Sequence, residues 1–139
     1  MTDMDTMDDI PGGEYMNPAQ LAFFERCLQR MRADVLAREA EIRSRLQVRH
    51  QVADPGDRAA LEEEYRIDLR LREREALLRR KIDEALRRIA RGEYGYCDIS
   101  GEPIGLARLL ARPTATTCAW VKEHDEYRER TTGRTRGPS

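Results

Sequence analysis

Residues 52–59 read Val52-Ala53-Asp54-Pro55-Gly56-Asp57-Arg58-Ala59, and this stretch decides the fold. Between Pro18 and Gly92 the chain has no other proline or glycine than Pro55 and Gly56. On either side, residues 19–54 and 57–91 make unbroken runs of 36 and 35 residues, rich in Arg, Glu, Leu and Ala. Strong helix formers over that length predict two long helices, each about 50 Å at 1.5 Å per residue. Near-equal lengths joined by so short a break predict an antiparallel hairpin. At the break, Asp54 suits an N-cap, Pro55 the first helical position and Asp57 the third, where its charge favours the helix dipole.

Working outward, the first helix has a marked start. Asn17 suits the N-cap, Pro18 the first turn, and Gln20 the closing position of a capping box. Met16 and Leu21 are spaced for a hydrophobic staple across it. Apolar residues follow at Leu21, Phe24, Leu28, Met31, Val35 and Ile42, steps of three, four and seven. The second run answers with Leu71, Leu78, Ile82, Ala85 and Ile89. Arg38 and Glu75 interrupt these seams. Cys27 lies one residue off the first seam and reads as a packing residue. Two mostly charged helices sharing a narrow seam describe a coiled-coil hairpin, in keeping with 37% charged and 6% aromatic residues.

The texture changes at Gly92. Residues 92–101 are turn-rich and aromatic, Ile104 to Leu110 is a short amphipathic segment, and Pro113 follows. The expected organisation is mainly α. An acidic tail spans 1–16, partly disordered or packed on the lobe. A coiled-coil hairpin spans 17–91 with its tip at 54–59, and a small globular lobe spans 92–117. A C-terminal helix over 118–131 and a disordered tail over 132–139 complete the chain.

Composition excludes several classes. No run approaches the ~20 apolar residues of a membrane span. Residues 1–16 carry five acids and no base, unlike a secretory leader. Three widely spaced cysteines make no disulfide framework, and a cytoplasmic protein is expected. His50 and His124 belong to no triad, and there is no phosphate-binding loop, so no enzyme is expected. A formal net charge of −1 argues against DNA binding, despite Arg134 and Arg136 in the tail. That near-neutrality hides segregation. Six acids (Asp54, Asp57, Glu62, Glu63, Glu64 and Asp68) face two arginines at the distal hairpin, while Arg79, Arg80, Lys81, Arg87, Arg88 and Arg91 make its base basic.

Several motifs occur in a set order: Gly13-Glu14-Tyr15-Met16-Asn17, Asp54-Pro55-Gly56-Asp57-Arg58-Ala59-Ala60, Gly95-Tyr96-Cys97, Ile104-Gly105 and Ala111-Arg112-Pro113-Thr114. With them, roughly residues 13–130 resemble the DksA family, bacterial transcription factors that bind RNA polymerase. The resemblance implies a monomer whose hairpin enters the polymerase secondary channel and whose tip, Asp54, Asp57 and Ala59, acts near the active centre. It implies destabilised open complexes at sensitive promoters such as those of ribosomal RNA, within the stringent response. Leu78, Lys81, Arg112 and Lys122 match positions that bind the alarmone ppGpp between factor and polymerase. Glu126 and Glu129 match a further docking surface.

The family usually carries four zinc-binding cysteines in the lobe. Here those positions read Cys97, Ser100, Cys118 and Val121. Serine and valine do not complete a structural zinc tetrahedron. The sequence therefore resembles the reduced-cysteine variants, with no intrinsic metal and a lobe held by packing among Ile99, Leu110, Trp120 and Val121. Cys97 and Cys118 read as thiols left from a lost metal site rather than as a redox pair. Two rivals remain. One is a transcript-cleavage factor of the Gre type, which shares an acidic-tipped hairpin; the other is a structural coiled-coil adaptor with no polymerase role.

Overall fold

A computed structural model of the chain describes residues 5–51 and 58–119. A 3-10 turn at Met7–Asp9 precedes α1, Pro18–Gln51; α2 runs Arg58–Arg91 and α3 Leu106–Ala111. The two long helices have 34 residues each, close to the lengths the uninterrupted runs predict. Among the described residues there is no strand, and Tyr96 and Pro103 form an isolated antiparallel bridge. The chain divides into two compact units, residues 26–87 and residues 1–25 with 88–139.

In the unit of residues 26–87, α1 and α2 pair antiparallel. Ion pairs record the register: Arg32–Asp83 at 2.7 Å, Arg38–Glu75 at 2.9 Å and Arg45–Asp68 at 2.9 Å. From Arg38 to Arg45 is one heptad forward, and from Glu75 to Asp68 is one heptad back. The same register sets Leu28 level with Ala85, Val35 with Leu78, and Ile42 with Leu71. Leu28, Val35 and Ile82 are fully buried, with Ile42 and Ala85 nearly so. The two residues that interrupt the apolar pattern, Arg38 and Glu75, thus answer each other across the seam. Cys27 is buried beside that seam, as its position predicts.

The other unit is built on Phe24, which is fully buried, with the Phe23 ring edge-on to it at 5.1 Å and the Tyr94 ring tilted at 5.8 Å. Asn17 Oδ1 accepts the Gln20 N–H at 2.9 Å, the N-cap bond the sequence predicts. The Gln20 side chain, however, reaches one residue further back than a capping box requires. Its Oε1 accepts the Met16 N–H at 2.8 Å, and its Nε2 donates to the Pro11 carbonyl at 2.8 Å. Met16 has φ +56°, which turns its side chain onto Gly95. A Cβ at Gly95, itself at φ +93°, would fall 2.8 Å from Met16 Cγ and Sδ, so only glycine fits there.

Candidate functional site

The end of α2 grips the lobe through Arg88. Its Nη1 donates to Asp98 Oδ1 at 2.5 Å, and Nη2 donates to the carbonyls of Tyr96 at 2.9 Å and Glu93 at 3.2 Å. Arg88 is buried and satisfied largely by backbone, so it holds the loop after Gly92 in shape. In the sequence it counts only among the residues that make the hairpin base basic. Its place in the 3.6-residue pattern beside Ala85 was the available signal.

Two tyrosines fix the rest. Tyr15 Oη donates to the Gly95 carbonyl at 2.7 Å and accepts the Gly105 N–H at 2.9 Å. Burial raises its pKa, so it stays a phenol that can serve both bonds. Tyr94 Oη donates to the Pro113 carbonyl at 2.7 Å. Leu109 of α3 is fully buried, and α3 packs against the 3-10 turn. One expected contributor fails: Ile99 is 71% exposed, because it sits in the turn after Cys97 with its side chain outward. Leu110 is half-buried, while Trp120 and Val121 lie outside the described residues.

Cys97, Ser100 and Cys118 come together in this lobe. The Ser100 N–H donates to Cys97 Sγ at 3.4 Å, and Ser100 Oγ lies 3.8 Å from Cys118 Sγ. Both thiols are free and buried. Burial pushes the Cys97 thiol up, but bonds from the Ser100 hydroxyl and the N–H groups of Ser100, Cys118 and Ile99 outweigh it, bringing the pKa down to about 6. The donor set is two sulfurs and one hydroxyl, and position 121 is valine, which has no donor at all. A structural zinc ion takes four Cys or His ligands, so these residues do not fit one.

On α2, Leu78 is half-buried and Lys81 exposed. A groove of about 670 Å³ on α2 is lined by Arg70, Glu73, Arg74, Ala76, Leu77 and Arg80, and includes neither Leu78 nor Lys81. Arg112 is exposed at the end of α3, where its N–H caps the Arg108 carbonyl at 2.8 Å. Lys122, Glu126 and Glu129 lie outside the described residues, as do Asp54 and Asp57; Ala59 falls in the first turn of α2.

The charge segregation is weaker than the sequence suggests. Asp68, counted with the distal acids, is buried between Arg45 and Arg49. Glu63 pairs with Arg66 at 2.6 Å. At the basic end, Arg79 pairs with Glu39 at 2.8 Å and Arg87 with Glu84 at 3.0 Å.

Comparison with known proteins accords with these features. Residues 20–89 match the family described as DnaK suppressor protein DksA, N-terminal domain, and residues 92–119 match the prokaryotic dksA/traR C4-type zinc finger. Proteins named RNA polymerase-binding transcription factor DksA are 46% identical in Caulobacter vibrioides and 43% identical in Escherichia coli K12. These alignments cover 84% of this chain and 82% of the first relative, and 86% and 80% for the second. The solved structure of transcription factor DksA2 from Pseudomonas aeruginosa superposes with a TM-score of 0.82 at 49% identity, covering 86% of this chain and 93% of that one. None of the described helices is long and apolar enough to cross a membrane. Residues 92–119 match the C4-type family although two of its four ligand positions, 100 and 121, hold no thiol in this chain. With an antiparallel hairpin, a zinc-finger-like lobe and relatives alike over most of both lengths, the chain belongs to the DksA family.

Proposed function

We propose that this protein regulates transcription by binding RNA polymerase directly, as a non-catalytic cytoplasmic monomer. The observation that carries the reading is the paired hairpin with Asp54-Pro55-Gly56-Asp57 as its connection, in a chain whose relatives are named as polymerase-binding factors. The hairpin enters the secondary channel, and Asp54, Asp57 and Ala59 act beside the active centre. Open complexes at sensitive promoters, such as those of ribosomal RNA, are destabilised. The factor need favour one promoter-complex state by only ~1–3 kcal/mol to shift output strongly.

Acting with ppGpp in the stringent response falls to Leu78, Lys81, Arg112 and Lys122. Their cations supply charge-assisted bonds to phosphate and Leu78 an apolar contact. Glu126 and Glu129 add a docking surface. Without metal, the lobe relies on Arg88, Tyr15 and Tyr94.

A site-specific crosslink from Asp57 to reconstituted polymerase, with and without ppGpp, tests the reading. Crosslinks within the secondary channel support it; crosslinks confined to other surfaces overturn it. A cleavage assay on backtracked complexes separates it from a Gre-type factor, since no RNA cleavage is expected. Absence of any polymerase crosslink leaves a coiled-coil adaptor.

A further inference from the structure

The seam of the hairpin changes character along its length. From Leu28 to Val35 it is apolar, but beyond that level Arg38–Glu75 and Arg45–Asp68 alternate with Ile42. Asp68 is the centre of this distal part. Arg45 Nη2 donates to Asp68 Oδ1 at 2.9 Å, with its Nε 3.4 Å from Oδ2, and Arg49 Nη2 reaches Oδ2 at 2.8 Å. The two arginines come from successive seam positions of α1, so one carboxylate of α2 is held from both sides. Arg45 is itself braced by Glu41 at 2.9 Å.

Stability alone does not account for this arrangement. Replacing a buried ion-pair cluster with apolar residues of similar volume is often neutral or stabilising. The cluster also leaves Arg49 Nη1 buried with no hydrogen-bond partner among the described residues. What the cluster does provide is direction. Apolar layers tolerate sliding and rotation, because burial is indifferent to orientation. Charge-assisted hydrogen bonds form in one alignment only, and a shift of α2 by one turn would leave Asp68 buried without its partners. Arg49 lies three residues before Val52, where the connection between the helices begins.

We propose that Asp68, clamped by Arg45 and Arg49, is a positioning residue that fixes the alignment of α1 and α2 next to the 52–57 connection, and so aims Asp54 and Asp57. This rests on the polymerase reading above. Arg38–Glu75 repeats the device one heptad nearer the base.

The test compares the full-length chain with three variants: Arg45→Leu/Arg49→Met/Asp68→Leu, Asp68→Glu, and Asp54→Ala/Asp57→Ala. The apolar triple variant should melt no lower than the unmodified chain and bind polymerase within about twofold. The open-complex destabilisation it produces at saturating concentration should fall about tenfold. Methyl cross-peaks in nuclear magnetic resonance should pair Ile42 with Leu71 as one set in the unmodified chain and split into more than one set in the triple variant. Asp68→Glu keeps both ion pairs and should keep activity and a single set. A triple variant with unchanged promoter effect and one set of cross-peaks overturns the proposal. If the triple variant melts lower, Asp68→Asn replaces it: a weakened promoter effect with several sets supports the clamp, and an unchanged effect with one set overturns it. The tip variant tells the two ideas apart. If it leaves promoter complexes unaffected, the polymerase reading fails, and the cross-peaks alone judge the clamp: several sets support it and one set overturns it.

Discussion

The hairpin and the lobe solve the same problem in different ways. Both are small, and neither has a thick apolar core. The hairpin repeats one device, a heptad seam, in which each layer resembles the next and ion pairs substitute for apolar layers without breaking the register. The lobe repeats nothing. It relies on single residues whose polar atoms meet backbone: Arg88 on Glu93 and Tyr96, Tyr15 on Gly95 and Gly105, and Tyr94 on Pro113. The difference teaches where redundancy lies. A seam spreads its stability over many layers, whereas the lobe concentrates it in a few hydrogen-bonded side chains.

The comparison can be broken most severely in the hairpin. Leu28→Ala empties a fully buried seam position and should cost about 3–4 kcal/mol, read as a lowered urea midpoint of helical circular dichroism. A matching change at exposed Leu77 should move that midpoint by less than about 0.5 kcal/mol. In the lobe, Arg88→Ala leaves two carbonyls and Asp98 without their donor and should cost about 3 kcal/mol. Its signature is loss of the tyrosine near-ultraviolet signal before the helical signal. Were the two signals to fall together, the lobe would not depend separately on Arg88.

Acid sharpens the contrast. The Arg45 hydrogen bond holds the Asp68 carboxyl below the usual aspartate range, against desolvation and with help from Arg49. A depressed folded pKa adds stability above the ordinary value of about 3.9, and that stability is lost as pH falls through the folded value. The stability gap between the unmodified chain and Asp68→Asn should therefore be full at pH 6 and close below about pH 4. Urea titrations across that range check it. A smaller effect is expected from Tyr94→Phe, about 1 kcal/mol for the bond to Pro113, visible in the lobe signal alone. The smallest of all should follow chelation. Treating the purified protein with EDTA should leave the lobe signal and its melting temperature unchanged, and stoichiometric zinc in the purified protein would contradict the donor chemistry of Cys97, Ser100 and Cys118.

Much of this was legible in advance, and the limits have a physical pattern. Spacing alone gave helix lengths, the N-cap at Asn17, the break at Pro55-Gly56, buried Cys27 and most of the seam. It counted Asp68 and Arg88 only as members of charge runs, without their buried partners, and it assigned Ile99 to the core. A charged residue at a seam position reads as an interruption until its partner is known. The partners of Arg45 and Arg38 stand 23 and 37 residues away.

Local order in this chain follows from covalent neighbours. Helix propensity, breakers, caps and the absence of thiols at positions 100 and 121 act within a few residues, so they can be read along the line. Which charges are buried is a matter between distant segments. Asp68 is neutralised because α2 returns past Arg45 and Arg49, and Arg88 is satisfied because the loop after Gly92 folds its carbonyls back onto α2. Only when the chain closes on itself do those groups lose water and gain partners, and that exchange is what tertiary structure decides.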